Sequence, residues 1–299
     1  MGKLISRLLI CLSLLSIPAL HMQAHGHDSP EKHQDVTWSR TDFAPFFILE
    51  GAFINQGVSD EIIRLLISKL PDYEHHVSDM SLKRMLKSAE SGMPICHVAL
   101  LITPERQKFI DYSDAIMRNY GNGIITTKAG LSRFKLSPDT IQPIDLEQLT
   151  HTPVSISIHD GRAYSPYIDK VIKENLGKPN SIFHKKTGLQ EQNRLFERLL
   201  SQRLDGLIAR PEEAEFSKRM LGFEDDLYYI PIQNSPATSL AYVGCAKGDW
   251  NNQLIADLNQ LIKTDVEVQK TVSQAYRQWL PTHLQTKFDS IKDVTVPKP

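Results

Sequence analysis

The side chains most able to do chemistry gather in one stretch, Leu100-Leu101-Ile102-Thr103-Pro104-Glu105-Arg106-Gln107-Lys108-Phe109-Ile110-Asp111-Tyr112-Ser113, where an apolar run passes directly into hydroxyl, carboxylate and guanidinium groups. It is the most specific signal in the chain. The sequence has no Gly-x-Ser-x-Gly elbow, no Gly-x-Gly-x-x-Gly, no phosphate-binding loop and no His-Glu-x-x-His, so it carries no motif of the commonest hydrolases, dehydrogenases or zinc proteases. An enzyme is therefore not expected; if there were one, its acid–base candidates would be Glu105, His159 and Asp160. The histidines raise a metal question. His21, His25, His27 and His33 lie near the N-terminus, with His75-His76 further on. His25-x-His27 beside a free amino terminus offers ligands to copper or zinc, but so polar a segment is expected to be a solvated tail. His75-His76 follow the helix-ending Pro71 and are expected on the surface. No metal and no cofactor is expected. Cys11 falls in the N-terminal apolar run, leaving Cys96 and Cys245 as an even pair. They are either a disulfide or two buried thiols; neither has a partner at zinc-ligand spacing.

These residues need elements to hold them. Residues 36–38 read as a strand, and Asp42-Phe43-Ala44-Pro45-Phe46-Phe47 as the loop leaving it. Ile62, Ile63, Leu66, Ile67 and Leu70 recur at helical spacing, with Ser59 as candidate N-cap and Pro71 as terminator. A second helix is expected over 81–90, a buried strand over 95–102, a helical turn with Pro104 at its first position, and extended pieces over 110–113 and 123–127. The grammar then repeats: a strand over 154–158, a turn at 159–162, helices over 164–176 and 189–202, strands over 204–209 and 240–246, and helices over 251–263 and 266–279. Residues 128–145 form the one extended polar connection, and beyond Trp279 a polar tail is expected. Alternating strands and helices predict an α/β fold with largely parallel sheets.

The 100–113 stretch resembles the hallmark of family-3 extracellular solute-binding proteins, the type II periplasmic binding proteins that serve amino-acid ABC importers: an apolar strand, Thr-x-x-Arg, then a hydrophobic-Asp-aromatic-Ser segment leading into a hinge. Asp42-Phe43-Ala44-Pro45-Phe46, Gly57, Ser201-Gln202-Arg203-Leu204-Asp205-Gly206 and Lys247-Gly248 fall in the family's order. The resemblance implies two lobes, each a mainly parallel sheet flanked by helices, joined by two strands near 121–126 and 236–240 and closing on a ligand. It implies that Arg106 grips a ligand carboxylate with its planar fork, the structural alternative being a bridge to Asp111. Phe43, or Phe46 beside it, matches the aromatic over the ligand, and Thr103 offers a hydroxyl and an amide. From the second lobe, Asp160-Gly161-Arg162 precedes a helix whose free amides suit an anion. Two departures matter. Where the amino-acid binders place small polar residues just before the Thr, this chain has Ala99, Leu100 and Leu101, and where they place an Asp for the ligand's ammonium, five residues past Asp205, it has Arg210. Arg106, Arg162 and Arg210 together would suit a ligand with more than one anionic group, unless Arg210 turns outward to Glu212 or Glu213. The chain also resembles a subgroup of unassigned ligand, with one Cys before Leu-x-Thr-Pro-Glu-Arg and another in a late segment like Cys245-Ala246-Lys247-Gly248-Asp249-Trp250; both would lie in one lobe.

The N-terminal end reads as an export signal. Lys3 and Arg7 precede an apolar run over 8–20, broken by Ser13, Ser16 and Pro18, and Ala24 stands at the cleavage point. About 13 residues with a proline are too few for a bilayer core that needs roughly 20. The expected organisation is 1–24 signal peptide, 25–35 polar leader, 36–122 plus 240–299 lobe one and 123–239 lobe two, located in the periplasm. Losing Lys3 and Arg7 takes the formal net charge from −1 to −3, which leaves no basic footprint for nucleic acid. The expected partners are a small ligand and a membrane permease or, alternatively, a sensor, with the chain itself a monomer. The less favoured alternative is a dehydratase-like enzyme on the same fold.

Overall fold

The computed structural model describes residues 34–159, 162–186 and 191–291. The expected signal peptide, the leader up to residue 33, and Asp160 and Gly161 lie outside the described residues. Strands β1 (Gln34–Arg40), β2 (Tyr73–Asp79), β3 (Ile95–Leu100) and β4 (Ile110–Tyr120) come first. After them run β5 (Gly123–Thr127), β6 (Ile156–His159), β7 (Phe183–Lys186), β8 (Gly206–Ala209) and β9 (Leu227–Pro231), and β10 (Thr238–Ala246) closes the series. They make two five-stranded sheets, ordered β2-β1-β3-β10-β4 and β7-β6-β8-β5-β9. The expected parallel pairing holds in β2-β1-β3 and β7-β6-β8. Each sheet is then extended by antiparallel strands, β10 between β3 and β4, and β5 between β8 and β9. β5 and β10 are the strands by which the chain enters one sheet from the other.

The first sheet's central strand β3, Ile-Cys-His-Val-Ala-Leu, is buried along nearly its whole length, as expected of a strand covered on both faces. Cys96 on β3 and Cys245 on β10 face each other in direct register and form a disulfide, both fully buried. The Val58–Lys69 helix buries Ile62, Ile63 and Leu66. Its cap is Gly57 rather than Ser59, which lies buried inside the first turn. The reason is a close approach: a Cβ on residue 57 would stand 2.4 Å from the Phe46 carbonyl oxygen. Asp60 completes the cap, its Oδ2 accepting from the amides of Gly57 and Ile48.

Several segments escaped the periodicity, the Thr282–Ser290 helix among them. β2 is a polar edge strand, β7 and β9 are short, and the Pro211–Leu221 helix hides its carboxylates. His75 is not a free surface residue, since Trp38 Nε1 donates to its Nδ1 at 3.0 Å and its Nε2 lies 2.7 Å from the Leu70 carbonyl. Instead of a polar tail, Thr282–Ser290 is a helix that buries Leu284 and Phe288, with Phe288 packed on Tyr120 and Tyr276. Residues 128–145 hold short helical turns at Lys128–Leu131, Ser132–Phe134 and Pro138–Thr140.

The two crossings between lobes touch. Gly121, between β4 and β5, donates its amide to the Ala237 carbonyl at 2.8 Å, and a Cβ there would stand 2.0 Å from the Pro236 oxygen. A second contact lies outside the crossings: Phe216 of the Pro211–Leu221 helix packs with Phe53 and Trp279 of the first lobe, and Tyr276 donates to Glu212 Oε2 at 3.0 Å.

Candidate functional site

The loop after β1 is stitched down by amides of Phe46 and Phe47 donating to the Phe43 carbonyl, and by amides of Val58 and Ser59 donating back to Pro45 and Phe46. That fixes two aromatic rings, Phe43 and Phe46, stacked at 5.1 Å. At the end of β3, Ala99 takes φ +65°, a left-handed conformation that a side-chain-bearing residue seldom adopts, opposite a register shift in β10. The chain leaves the sheet there and enters the turn carrying Arg106.

Between the lobes lies a cavity of about 990 Å³. From the first lobe it is lined by Asp42, Phe43, Phe46, His97, Arg106 and Asn119, among others, and from the second by His159, Arg162, Ala163 and Arg210. Arg106 is half-buried; its Nη1 donates to the Leu101 carbonyl at 3.0 Å, and no carboxylate among the described residues lies within ion-pair distance. The alternative bridge to Asp111 is not formed, since Asp111 faces Lys247 at 3.8 Å and Asn251. Burial lowers the Arg106 pKa. Thr103 is not among the lining residues; its hydroxyl accepts from the Arg106 amide at 3.3 Å and so holds the turn.

Arg162 lies in the cavity wall, but its fork is occupied. Nη1 and Nη2 donate to the two oxygens of Glu213 at 2.7 and 2.5 Å, Nη2 also to Asn122 Oδ1 at 3.2 Å, and the guanidinium lies 5.0 Å from the Phe43 ring centre and 5.2 Å from that of Tyr164. Burial opposes its charge, yet Glu213 raises its pKa overall; burial would raise Glu213 too, but Arg162 holds it below the usual value. Arg210 turns inward, 4% exposed, over the Phe46 ring at 5.8 Å. Glu212 and Glu213 are also inside, both fully buried, and Glu212 Oε1 stands 4.0 Å from Arg210 Nε. Burial pushes Glu212 up to about 7, with Arg210 opposing. Burial and then Arg162 pull Arg210 down. The expectation of three free arginines is thus corrected: Arg162 is engaged within the second lobe because the carboxylates thought to face outward face in. Asp160 and Gly161 of the expected anion turn lie outside the described residues.

Among the described residues, three buried polar atoms of lining residues have no hydrogen-bond partner: Asn119 Oδ1, His159 Nε2 and Arg210 Nε. His97 sits behind the Phe47 ring with Nδ1 3.0 Å from Ser39 Oγ. Burial, then Arg106, pulls His97 to about 4, and burial, then Arg162, does the same to His159, so both imidazoles are neutral at neutral pH. Sequence reasoning missed Asn119, Asn122, His97 and Asp42. Asn119 and Asn122 sit on either side of Gly121, at the crossing itself, which is the signal that could have found them.

No protein-family model matches the chain, and no curated protein sequence matches it. Solved structures do. An ancestral cationic amino-acid solute-binding protein matches at 18% identity and TM-score 0.60, covering 84% of this chain and 97% of that one. An ancestral arginine-binding protein bound to arginine matches at 17% and 0.59, over 83% and 99%. The Bordetella pertussis BvgS periplasmic VFT2 domain matches at 15% and 0.57, over 83% and 94%. At such identities the likeness is one of fold: the chain has the two-lobed type II periplasmic binding protein fold. Among the described residues, no helix is long and apolar enough to cross a membrane.

Proposed function

We propose that this chain is an exported, periplasmic solute-binding protein that captures a small polar ligand carrying an anionic group between its lobes and presents the closed form to an ABC-type importer. The observation that carries this is Arg106, a half-buried guanidinium facing the interlobe cavity with no carboxylate partner among the described residues, together with the orphan donor on Arg210 and the orphan acceptor on Asn119. A buried polar atom without a partner costs free energy that a ligand would recover. Arg106 suits a carboxylate or similar oxyanion, and Asn119 Oδ1 suits an N–H or O–H on the same molecule.

The arginine-binding structures have their ligand in their own sites. Here Arg210 presents a cation to the cavity, and its carboxylate neighbour Glu212 is raised to about 7, so a cationic ligand would meet repulsion. Binding rather than catalysis is favoured by the neutral His159, which has no carboxylate orienting it among the described residues. The partner-facing step is hinge closure about the Gly121 and Pro236 crossings, driven by a ligand with higher affinity for the closed form.

The test is a thermal-shift screen of the chain and of Arg106→Ala against amino acids, mono- and dicarboxylates, and phosphorylated and sulfonated metabolites. A ligand at 100 times its dissociation constant stabilises the fold by about 2.7 kcal/mol. Hits lost in Arg106→Ala support the proposal; hits insensitive to it, or confined to cations, overturn it.

A further inference from the structure

The cavity does not end at the arginine centre. It continues along one face of the Leu82–Glu90 helix, where Leu82 and Leu86 stand one turn apart beside Leu101 and Phe109, with Lys83 and Lys87 at the solvent-facing rim. At about 990 Å³ the whole space lies at the upper end of the roughly 300–1,000 Å³ that houses drug-sized ligands. A ligand that met only Arg106, Asn119 and Arg210 would leave this apolar annex wet. The two lysines are exposed, four residues apart on the helix and therefore mutually repulsive. Among the described residues neither lies within ion-pair distance of a carboxylate, the exposed Glu90 at the end of the same row included.

We infer that the ligand is an elongated dianion: one acidic end between Arg106 and, from the second lobe, Arg210, an apolar body along Leu82, Leu86, Leu101 and Phe109, and a second acidic end at Lys83 and Lys87. The inference rests on the binding reading above and assigns its ligand class. An aliphatic chain between two carboxylates satisfies each part of the wall, the guanidinium, the leucine face and the paired ammonium groups. A short diacid satisfies only the first, and a long monoacid leaves the lysine pair uncompensated.

The experiment is isothermal titration of the full chain with succinate, suberate, sebacate and octanoate, repeated on the Lys83→Ala/Lys87→Ala double variant and on Arg106→Gln. The lysines are exposed, so the double variant keeps the core intact, and a thermal melt confirms it. Suberate is expected to bind more tightly than succinate, by up to about fourfold per additional buried methylene. It is also expected to exceed octanoate, and the lysine double variant to cut that advantage about three- to tenfold while leaving octanoate unchanged. Arg106→Gln is expected to weaken all of them. Succinate binding as tightly as suberate, or a suberate-to-octanoate ratio untouched by the lysine substitutions, overturns the inference. Arg106-dependent binding of short acids alone would remove the elongated dianion and keep the binding proposal. No Arg106-dependent binding of any acid removes both.

Discussion

Replacing Glu213 by Gln is a direct test of how the second lobe holds its arginines. Glu213 accepts both Nη donors of Arg162 at 2.7 and 2.5 Å, with the Arg162 side chain 11% exposed and its own fully buried. It also accepts from the Arg210 amide at 3.1 Å as the cap of the Pro211–Leu221 helix. Glutamine has the same shape and retains an oxygen for the cap and for Arg162 Nη2, but it removes the charge and turns an NH2 donor toward Arg162 Nη1 where an acceptor stood. Among the described residues it leaves Arg162 and Arg210 with Glu212, itself raised to about 7, as counter-charge. Removing one partner of a buried pair costs about 3–5 kcal/mol, because the charge left behind is desolvated and uncompensated. At roughly 2–4 °C per kcal/mol for a chain of this size, the melting point should fall by about ten degrees. Urea denaturation followed by tryptophan fluorescence would measure the loss, with Arg162→Met and the double variant Arg162→Met/Glu213→Gln closing the cycle. The double variant should be less destabilised than the two singles summed. A Glu213→Gln protein within about 0.5 kcal/mol of the parent would refute the reasoning, since that is the range of substitutions touching nothing important.

Two further predictions concern the same framework. Glu212 has a folded pKa of about 7, above its unfolded value, so the native state holds the proton more tightly; the stability this contributes is complete below the unfolded pKa and is lost as pH rises to about 7. The span is about 3 kcal/mol, and Glu212→Gln should therefore gain on the parent between pH 5 and pH 8 in parallel urea titrations; curves that stay parallel across that range would contradict it. The Cys96–Cys245 disulfide has a sequence separation of 149 and encloses β4 to β9. Its loss in Cys96→Ala/Cys245→Ala should cost about 5 kcal/mol on the chain-entropy account, while the buried sulfurs resist reduction and alkylation in the native chain. Alkylation at low denaturant, read by mass spectrometry, would count against that burial.

Much of the fold was legible because the elements carrying it have strong periods. The Ile62–Leu66 face, the apolar β3 run and the alternation at 156–158 each announce a covered element. β2 was not legible: its Tyr-Glu-His-His-Val-Ser-Asp is polar because an edge strand needs little apolar surface, and its histidines drew attention to metals rather than to Trp38. The Thr282–Ser290 helix was missed because only Leu284 and Phe288, four residues apart, mark its buried side. In the site, Phe43, Phe46, Arg106, Arg162 and Arg210, which line one cavity, were expected there from the family resemblance rather than from periodicity. What each of them touches depends on which neighbours fold inward, and composition does not encode that.

The partner of Arg162 nevertheless has a local cause in the order Arg210-Pro211-Glu212-Glu213. Proline at the first helical position fixes where the helix begins, which sets Glu213 at the third position, where a carboxylate turns back to the cap amide. A carboxylate held back over its own helix end points into the interlobe wall rather than to solvent, and Arg162 meets it there. Glu212, one residue earlier, is rotated about 100° around the helix and meets Tyr276 of the other lobe instead. One helix start signal, Arg210 to Glu213, thereby neutralises Arg162, leaves Arg210 with a weakly charged neighbour, and ties the second lobe to the first. At the arginine centre, the cationic character left for a ligand then sits on Arg106 and Arg210, on opposite lobes. Only the closed form brings both to one molecule, and that is the condition under which ligand binding can drive closure.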